Sequence, residues 1–448
     1  MVKTIKLKRG LDINLAGVAA RNKKQAPSAD RYALMPSSFT GVVPKVVVKE
    51  GDEVKAGTCL FVNKNYPEVG FSSPVSGVVE AIVRGDRRKV LAVVVKSDRK
   101  QDSVDYGKKN VSKMSGEEVV DSLLKAGLFG YVNQRPFDIS ANPSGTPRAI
   151  FVSALRDMPL AADFEYELEG QELYFQAGLT ALSKIAPTYL GIGKKHTSKA
   201  LHEMADVTTT IFDGPCPAGN VGVQINNISP INKGEIVWTV EPTAVLFFGR
   251  LFLDGVVDLR RTVAVAGSQV KSPSYMDVHV GTPISTILKD NVIEGNNRII
   301  NGNPLTGTPV TDDATAYIGA HTSEVTVIPE GDDADEFVGW IMPRVSQFSV
   351  SRSYFSWLLG KRAYTIDARV KGGERHMIMS GEYDKVLPMD ILPEYLIKAI
   401  ITNDIDKMEQ LGIYEVAPED FALAEFVCSS KLELQKIVRE GIDLMLNA

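Results

Sequence analysis

Residues 41–83 read GVVPKVVVKEGDEVKAGTCLFVNKNYPEVGFSSPVSGVVEAIV. Within and just beyond this stretch lie two similar halves, KVVVKEGDEVKAGTCLFV (45–62) and SPVSGVVEAIVRGDRRKVLAVVV (73–95). Each half has a valine-rich run of strand type, a charged glycine turn and a second run. The Gly51-Asp52 and Gly85-Asp86 pairs suit tight turns between strands. Short β-type runs of this kind extend from Lys3 to about Lys96.

Two such halves predict a barrel-sandwich hybrid, the fold of biotinyl and lipoyl domains. Those domains carry their modified lysine on the hairpin between the halves, a few residues before a segment resembling Ser73-Pro74-Val75-Ser76-Gly77. The lysine in that hairpin is Lys64, in VNKNYPEVGF. It lacks the usual flanking residues, and Pro67 disrupts a tight hairpin. The fold is expected as a scaffold with Lys64 unmodified.

The chain has 448 residues, enough for about two to four domains. With 44% hydrophobic and 23% charged residues it can build a large core. A net charge of −5 argues against nucleic-acid binding. Cys59, Cys216 and Cys428 are far apart, so a disulfide framework and a zinc or iron–sulfur site are not expected, and a reducing compartment is. The N-terminus has no apolar segment of signal type. No stretch approaches the ~18 apolar residues of a membrane span. The best candidate, 243–257, is interrupted by Arg250 and Asp254.

From about Gly116 the period changes. Val119, Val120, Leu123 and Leu124 recur at helical spacing. Apolar runs at 148–155 and 187–193 alternate with helical patterns, which predicts a mostly parallel α/β sheet. Strand patterns return from Thr262 to Ile378. After Met389 the chain reads as short helices, with Asp404 and Pro418-Glu419-Asp420 as helix starts. The predicted architecture is multidomain α+β. A barrel-sandwich hybrid occupies 1–100, a Rossmann-like α/β domain 101–261, a β-rich, β-grasp-like domain 262–380 and a helical domain 381–448.

Long phrases of this chain resemble the A subunit of the bacterial sodium-translocating NADH:quinone reductase. They include residues 51–88, DGPCPAGNVGVQINNISPINKG (213–234), VAVAGSQVKSP (263–273), GTPIS (281–285) and the whole of 381–431. The architecture is similar, more distantly, to the C component of the Rnf complex and the flavin subunit of respiratory complex I. Those relatives bind NADH and FMN and end in an iron–sulfur helical domain. Their flavin-binding members carry a glycine-rich loop after the first helix of the α/β domain, where backbone N–H groups approach a phosphate. Here Gly130 is followed by Tyr131, Val132, Asn133, Gln134 and Arg135. Their acidic segment after the next strand is replaced by VSALRDMPL. An iron–sulfur cluster needs about four thiolates, and near the C-terminus only Cys428 is present.

Other motifs favour plainer readings. Gly191, Gly193 and Lys194 in LGIGKKHTSK (190–199) lack Walker A spacing and suit a solvated basic loop. LHEMAD ends in Asp206, so it makes no zincin site. His196 and His202 do not share a helical face. In the loop 216–227, the resemblance implies histidines in better-known members where this chain has Cys216, Gln224 and Asn226. No metal or proton role is carried over to these residues, and a backbone-driven loop at a domain junction is the expectation. SYFSWLLGKR (353–362), aromatic then basic, suits a membrane-facing or partner-facing edge.

No catalytic, cofactor-binding or metal-ligating residue is assigned. The resemblance implies a peripheral subunit on the cytoplasmic face of the inner membrane, without its own cofactor, in a complex that uses NADH, flavins and quinone. Such a subunit would act in assembly and at the quinone-reducing end, with quinone a candidate ligand and no catalysis by the isolated chain. Its partners would be the other subunits, chiefly one embedded in the membrane. That partner would be contacted through the C-terminal third, where Trp340, Arg352, Tyr354, Phe355 and Trp357 offer anchors. The competing expectation is a redox subunit that itself binds NADH or FMN.

Overall fold

The computed structural model describes residues 2–332, 343–360 and 362–447. The first module is two facing antiparallel sheets. One orders its strands Arg31–Leu34, Val90–Ser97, Gly77–Arg84, Glu53–Val54; the other runs Pro44–Val46, Cys59–Asn63, Gly70–Ser72. Leu60, Phe61, Val79, Val93 and Val95 fill the space between them. The valine runs therefore fold as a barrel-sandwich hybrid. The glycine of the SP-x-SG segment is required: Gly77 has φ +152°, and a Cβ there would overlap the carbonyl of Lys96. Lys64 stands exposed at the start of the hairpin turn, its N–H donating to Val43 O at 2.8 Å.

The second module is a seven-stranded sheet. Lys3–Lys6, Thr208–Asp213, Thr188–Gly193, Ile150–Ser153 and Val237–Val240 run parallel, and Val132–Arg135 and Ile139–Ser140 complete it antiparallel. Ile150, Phe151 and Val152 are all buried, as strands covered on both faces require. Helices Gly116–Lys125, Glu172–Ile185 and Pro242–Asp254 share the main core with one face. Helix Val221–Ile228 packs with Phe151 and Val237 in a separate cluster.

The third sheet orders Thr308–Pro309, Asn297–Asn301, Glu324–Pro329, Arg260–Ala266, Ser274–His279, Ala20–Gln25. Two sequence expectations need correction here. The first twenty-five residues, grouped with the barrel-sandwich hybrid, lend edge strands to the other two sheets: Lys3–Lys6 pairs with Thr208–Asp213, and Ala20–Gln25 with Ser274–His279. These strands (KTIK, ARNKKQ) are mostly exposed, so backbone pairing places them and no apolar alternation announces it. Among the described residues the last strand also ends at Pro329. The described part of 343–378 is turns, bends and irregular backbone around the 3-10 turn Phe355–Leu359, with one isolated bridge from Tyr364 to Leu15. Its alternating aromatic and serine residues mimic a strand period, but no sheet edge receives them.

The C-terminal helices Tyr383–Val386, Pro393–Ile401, Ile405–Gln410, Ala422–Val427 and Leu434–Asn447 enclose Leu396, Ile397, Met408, Phe421 and Val438. Asp404 caps its helix by accepting from Lys407 N at 3.1 Å. Asp420 accepts from Ala417 N at 2.9 Å at the start of the 3-10 turn Pro418–Phe421. This core continues into the α/β module through Leu7, Phe212, Cys216 and Val223. The helical domain is thus fused to the sheet. No helix among the described residues is long and apolar enough to cross a membrane.

Candidate functional site

The parallel strand order reverses between Ile150–Ser153 and Val237–Val240. In an open α/β sheet the crevice beyond the carboxyl ends of such strands is where ligands bind. Here a cavity of about 380 Å³ occupies that position. The α/β module supplies Ser153, Asp157 and Glu241, the β-rich module supplies His321 and Glu324, and Glu419 of the helical domain reaches in.

Two helices, Val221–Ile228 and Pro242–Asp254, begin at this crevice. Helix N-termini favour anions. The residues at hand are themselves anions. Glu241 stands at the N-cap of Pro242–Asp254, its Oε2 3.3 Å from His321 Nδ1. Burial opposes its charge, yet His321, Arg261 and Arg156 hold the carboxyl below the usual glutamate value. Asp157 accepts from Gly219 N at 2.9 Å through Oδ2. Burial pushes its carboxyl up to about 6, against that hydrogen bond. Glu324 accepts from Ala162 N at 3.0 Å. The guanidinium that lines the cavity is committed: Arg156 donates to Glu167 and to Thr243, each at 2.8 Å. A nucleotide phosphate would enter a space walled by carboxylates.

The segment after the first helix of the α/β module, expected from the resemblance to stand where distant relatives carry a flavin-binding loop, is equally filled. Phe129–Tyr131 forms a buried 3-10 turn, and a Cβ on Gly130 would run into the ring of Phe71 from the barrel-sandwich hybrid. Tyr131 is wedged edge-on against Phe39 and Phe247. Val132–Arg135 continues as a sheet strand rather than an open loop. Arg135 is fully buried and donates to Asp420 Oδ2 and Glu419 Oε1, both at 2.9 Å. Burial opposes its charge, but Asp420, Asp138 and Glu419 together outweigh that effect and raise its pKa. These residues do not fit a flavin phosphate.

The basic loop after Thr188–Gly193 repeats the theme. Glu165 Oε1 accepts from Thr197 N at 2.6 Å and also from Ser198 N, so a carboxylate sits on the amides a phosphate would use. Lys194 pairs with Asp213 at 2.6 Å. His202 Nε2 lies 3.0 Å from His196 O.

Cys216, Gln224 and Asn226 point to different surroundings. Cys216 is buried with its Sγ 3.7 Å from Met158 Sδ, and burial, reinforced by Asp157, pushes its thiol up. Gln224 Nε2 donates to Ser153 Oγ at 2.8 Å and Ala218 O at 3.2 Å. Asn226 bridges to the helical domain, donating to Glu415 at 2.8 Å and accepting from Asp390 N at 3.0 Å. Cys428 is buried beside the Tyr383 hydroxyl at 2.9 Å. No group of three or more metal-ligating side chains exists among the described residues.

Of the aromatic anchors, Phe355 and Trp357 are exposed, Tyr354 is half-buried under Arg344, and Arg352 lies over Trp357. Trp340 lies outside the described residues. Sequence reasoning passed over Asp157, Glu241, His321 and the Arg135–Asp420 pair. Pro418-Glu419-Asp420 was visible as a helix start, but nothing in the chain connects it to a position 285 residues earlier.

Three family descriptions match in order: NqrA N-terminal barrel-sandwich hybrid domain over 5–98, NqrA second alpha/beta domain over 114–257 and NQRA C-terminal domain over 262–312. Full-length relatives agree. The A subunit of the Na(+)-translocating NADH-quinone reductase of Yersinia pestis is 35% identical over 445 residues, covering 97% of this chain and 98% of its own. Its counterpart in Neisseria meningitidis serogroup B is 34% identical over 443 residues, covering 98% of each. Among solved structures, an air-oxidized NAD+-reducing [NiFe]-hydrogenase aligns with 75% of this chain and 64% of its own at 12% identity and a TM-score of 0.36. On the full-length identities and the three consecutive domain matches, this chain belongs to the NqrA family, the A subunits of Na(+)-translocating NADH-quinone reductases.

Proposed function

We propose that this chain is one component of a sodium-pumping NADH:quinone reductase and that it works without a cofactor of its own. In this reading it sits on the cytoplasmic face as a peripheral subunit. Electrons pass from NADH to quinone through other subunits, while this one organises them through its surfaces. Contact with the main membrane subunit runs through the C-terminal third. If quinone meets this chain, the crevice of about 380 Å³ at the module junction, placed at the carboxyl ends of the parallel strands, is the site we assign to its head group.

The observation that carries the reading is the contact of Phe71 with Gly130. It presses the barrel-sandwich hybrid onto the segment where a flavin phosphate would need open backbone. The carboxylates of Glu165 and Glu241 at two further anion-favouring positions act in the same direction. Calorimetric titration of the full chain with FMN and with NADH tests it. The expected result is no saturable heat with either. Stoichiometric binding of FMN or NADH at micromolar concentration would instead make the chain a redox subunit.

A further inference from the structure

Residues 343–362 carry Arg344, Arg352, Lys361 and Arg362 and no aspartate or glutamate, within a chain of net charge −5. The same stretch holds the densest run of exposed large apolar side chains among the described residues. Phe355, Trp357, Leu358 and Leu359 keep 54%, 46%, 62% and 58% of their surface. They follow one another on the 3-10 turn Phe355–Leu359, with the Arg352 guanidinium 5.4 Å from the Trp357 ring centre.

This tip has a fixed base. Phe348 packs edge-on against Tyr364 at 5.3 Å and meets Phe426 of the helical domain at 5.9 Å. Tyr364 is tied to the N-terminal segment by Tyr364 N to Asn14 O and Ala16 N to Tyr364 O, both 2.8 Å. Arg362 closes the loop by donating to Val345 O at 3.1 Å. The fold thus holds an apolar tip clear of its own core, with the Arg352 guanidinium lying over its tryptophan.

We infer that this tip is a membrane-interface anchor that inserts its apolar side chains among the headgroups of an anionic bilayer. Tryptophan prefers the headgroup level, and arginine can bury its stem while its guanidinium meets lipid phosphate. Basic side chains beside exposed apolar ones are the combination that such surfaces attract. A protein interface asks for more. It commonly buries about 800 Å² per partner and matches shape over some 20–30 residues, whereas this patch is one short turn with cations and no acids. The inference rests on the peripheral-subunit reading and adds that this part of the C-terminal third faces lipid.

The test uses the full chain purified alone and sedimented with vesicles. Wild type is expected to pellet with vesicles containing phosphatidylglycerol and to remain in solution with phosphatidylcholine alone. The double variant Trp357→Asp with Leu358→Asp should lose about tenfold in bound fraction at an unchanged melting temperature, since both positions are exposed. Arg352→Gln should lose about fivefold, the effect of one cation near an anionic surface. Wild type that ignores both vesicles, or binds both equally, overturns the proposal. So does a double variant that binds vesicles like wild type, and if that variant also drops out of the complex, the tip is a protein contact. Failure of the subunit reading looks different: wild type would bind vesicles yet co-purify with none of the membrane subunits.

Discussion

Replacing Arg135 by methionine is expected to destabilise the chain by about 3–5 kcal/mol, the usual cost of leaving one partner of a buried ion pair alone. The abandoned partner is Asp420, whose side chain, like that of Arg135, has 0% exposure. Asp420 would keep only Ala417 N at 2.9 Å and Asn220 Nδ2 at 3.3 Å. Glu419 adds little, because its side chain is 43% exposed and water screens it. The pair bridges the strand Val132–Arg135 and the turn Pro418–Phe421, so the helical domain should loosen first. The effect is read as the shift of the earliest urea transition followed by circular dichroism. Adding Asp420→Asn to Arg135→Met should cost less than the sum of the two single changes, because the charge left stranded is then gone. Additive losses would show that the two residues stabilise the fold separately.

The second large effect is expected where helices Glu172–Ile185 and Pro242–Asp254 cross. Each helix presents a glycine to the other. A Cβ at Gly178 would overlap the carbonyl oxygen of Val245, and one at Gly249 the carbonyl oxygen of Tyr174. Both obstacles are backbone, which cannot rotate away, so the helices must separate or shift inside a close-packed core. Gly249→Ala should therefore cost about 3 kcal/mol despite its better helix propensity. Gly373, which has open space around its Cβ position, is the control. Gly373→Ala should stay within about 0.5 kcal/mol. An equal, small effect at both sites would mean that the crossing is looser than the glycine contacts imply.

These two sites show what the sequence made legible. The valine runs at 45–62 and 73–95 announce their fold because each strand carries its own apolar pattern and each turn its own glycine. The α/β sheet is legible for the same reason: Ile150, Phe151 and Val152 form a run buried on both faces. Lys3–Lys6 and Ala20–Gln25 are not legible, since edge strands are placed by backbone pairing with partners some 200 residues away or more. At the candidate site, the loss of the phosphate-binding glycines could be read after Gly130. What fills the space could not. Phe71, Glu165 and Glu241 come from separate parts of the chain, and only the fold shows each beside the backbone that a phosphate would need. In the same way Arg135 and Asp420 look like surface charges until the tertiary structure buries them together.

Native mass spectrometry of the complex, purified from mild detergent through a tag on this chain, tests the central claim most directly. The account predicts that the chain is carried with membrane subunits. Once released, the chain should match its own 48.8 kDa plus the tag, with no flavin or nicotinamide retained and no addition at Lys64. A released chain that keeps one flavin or nicotinamide per copy, or a tagged chain that emerges without any of the membrane subunits, would contradict it.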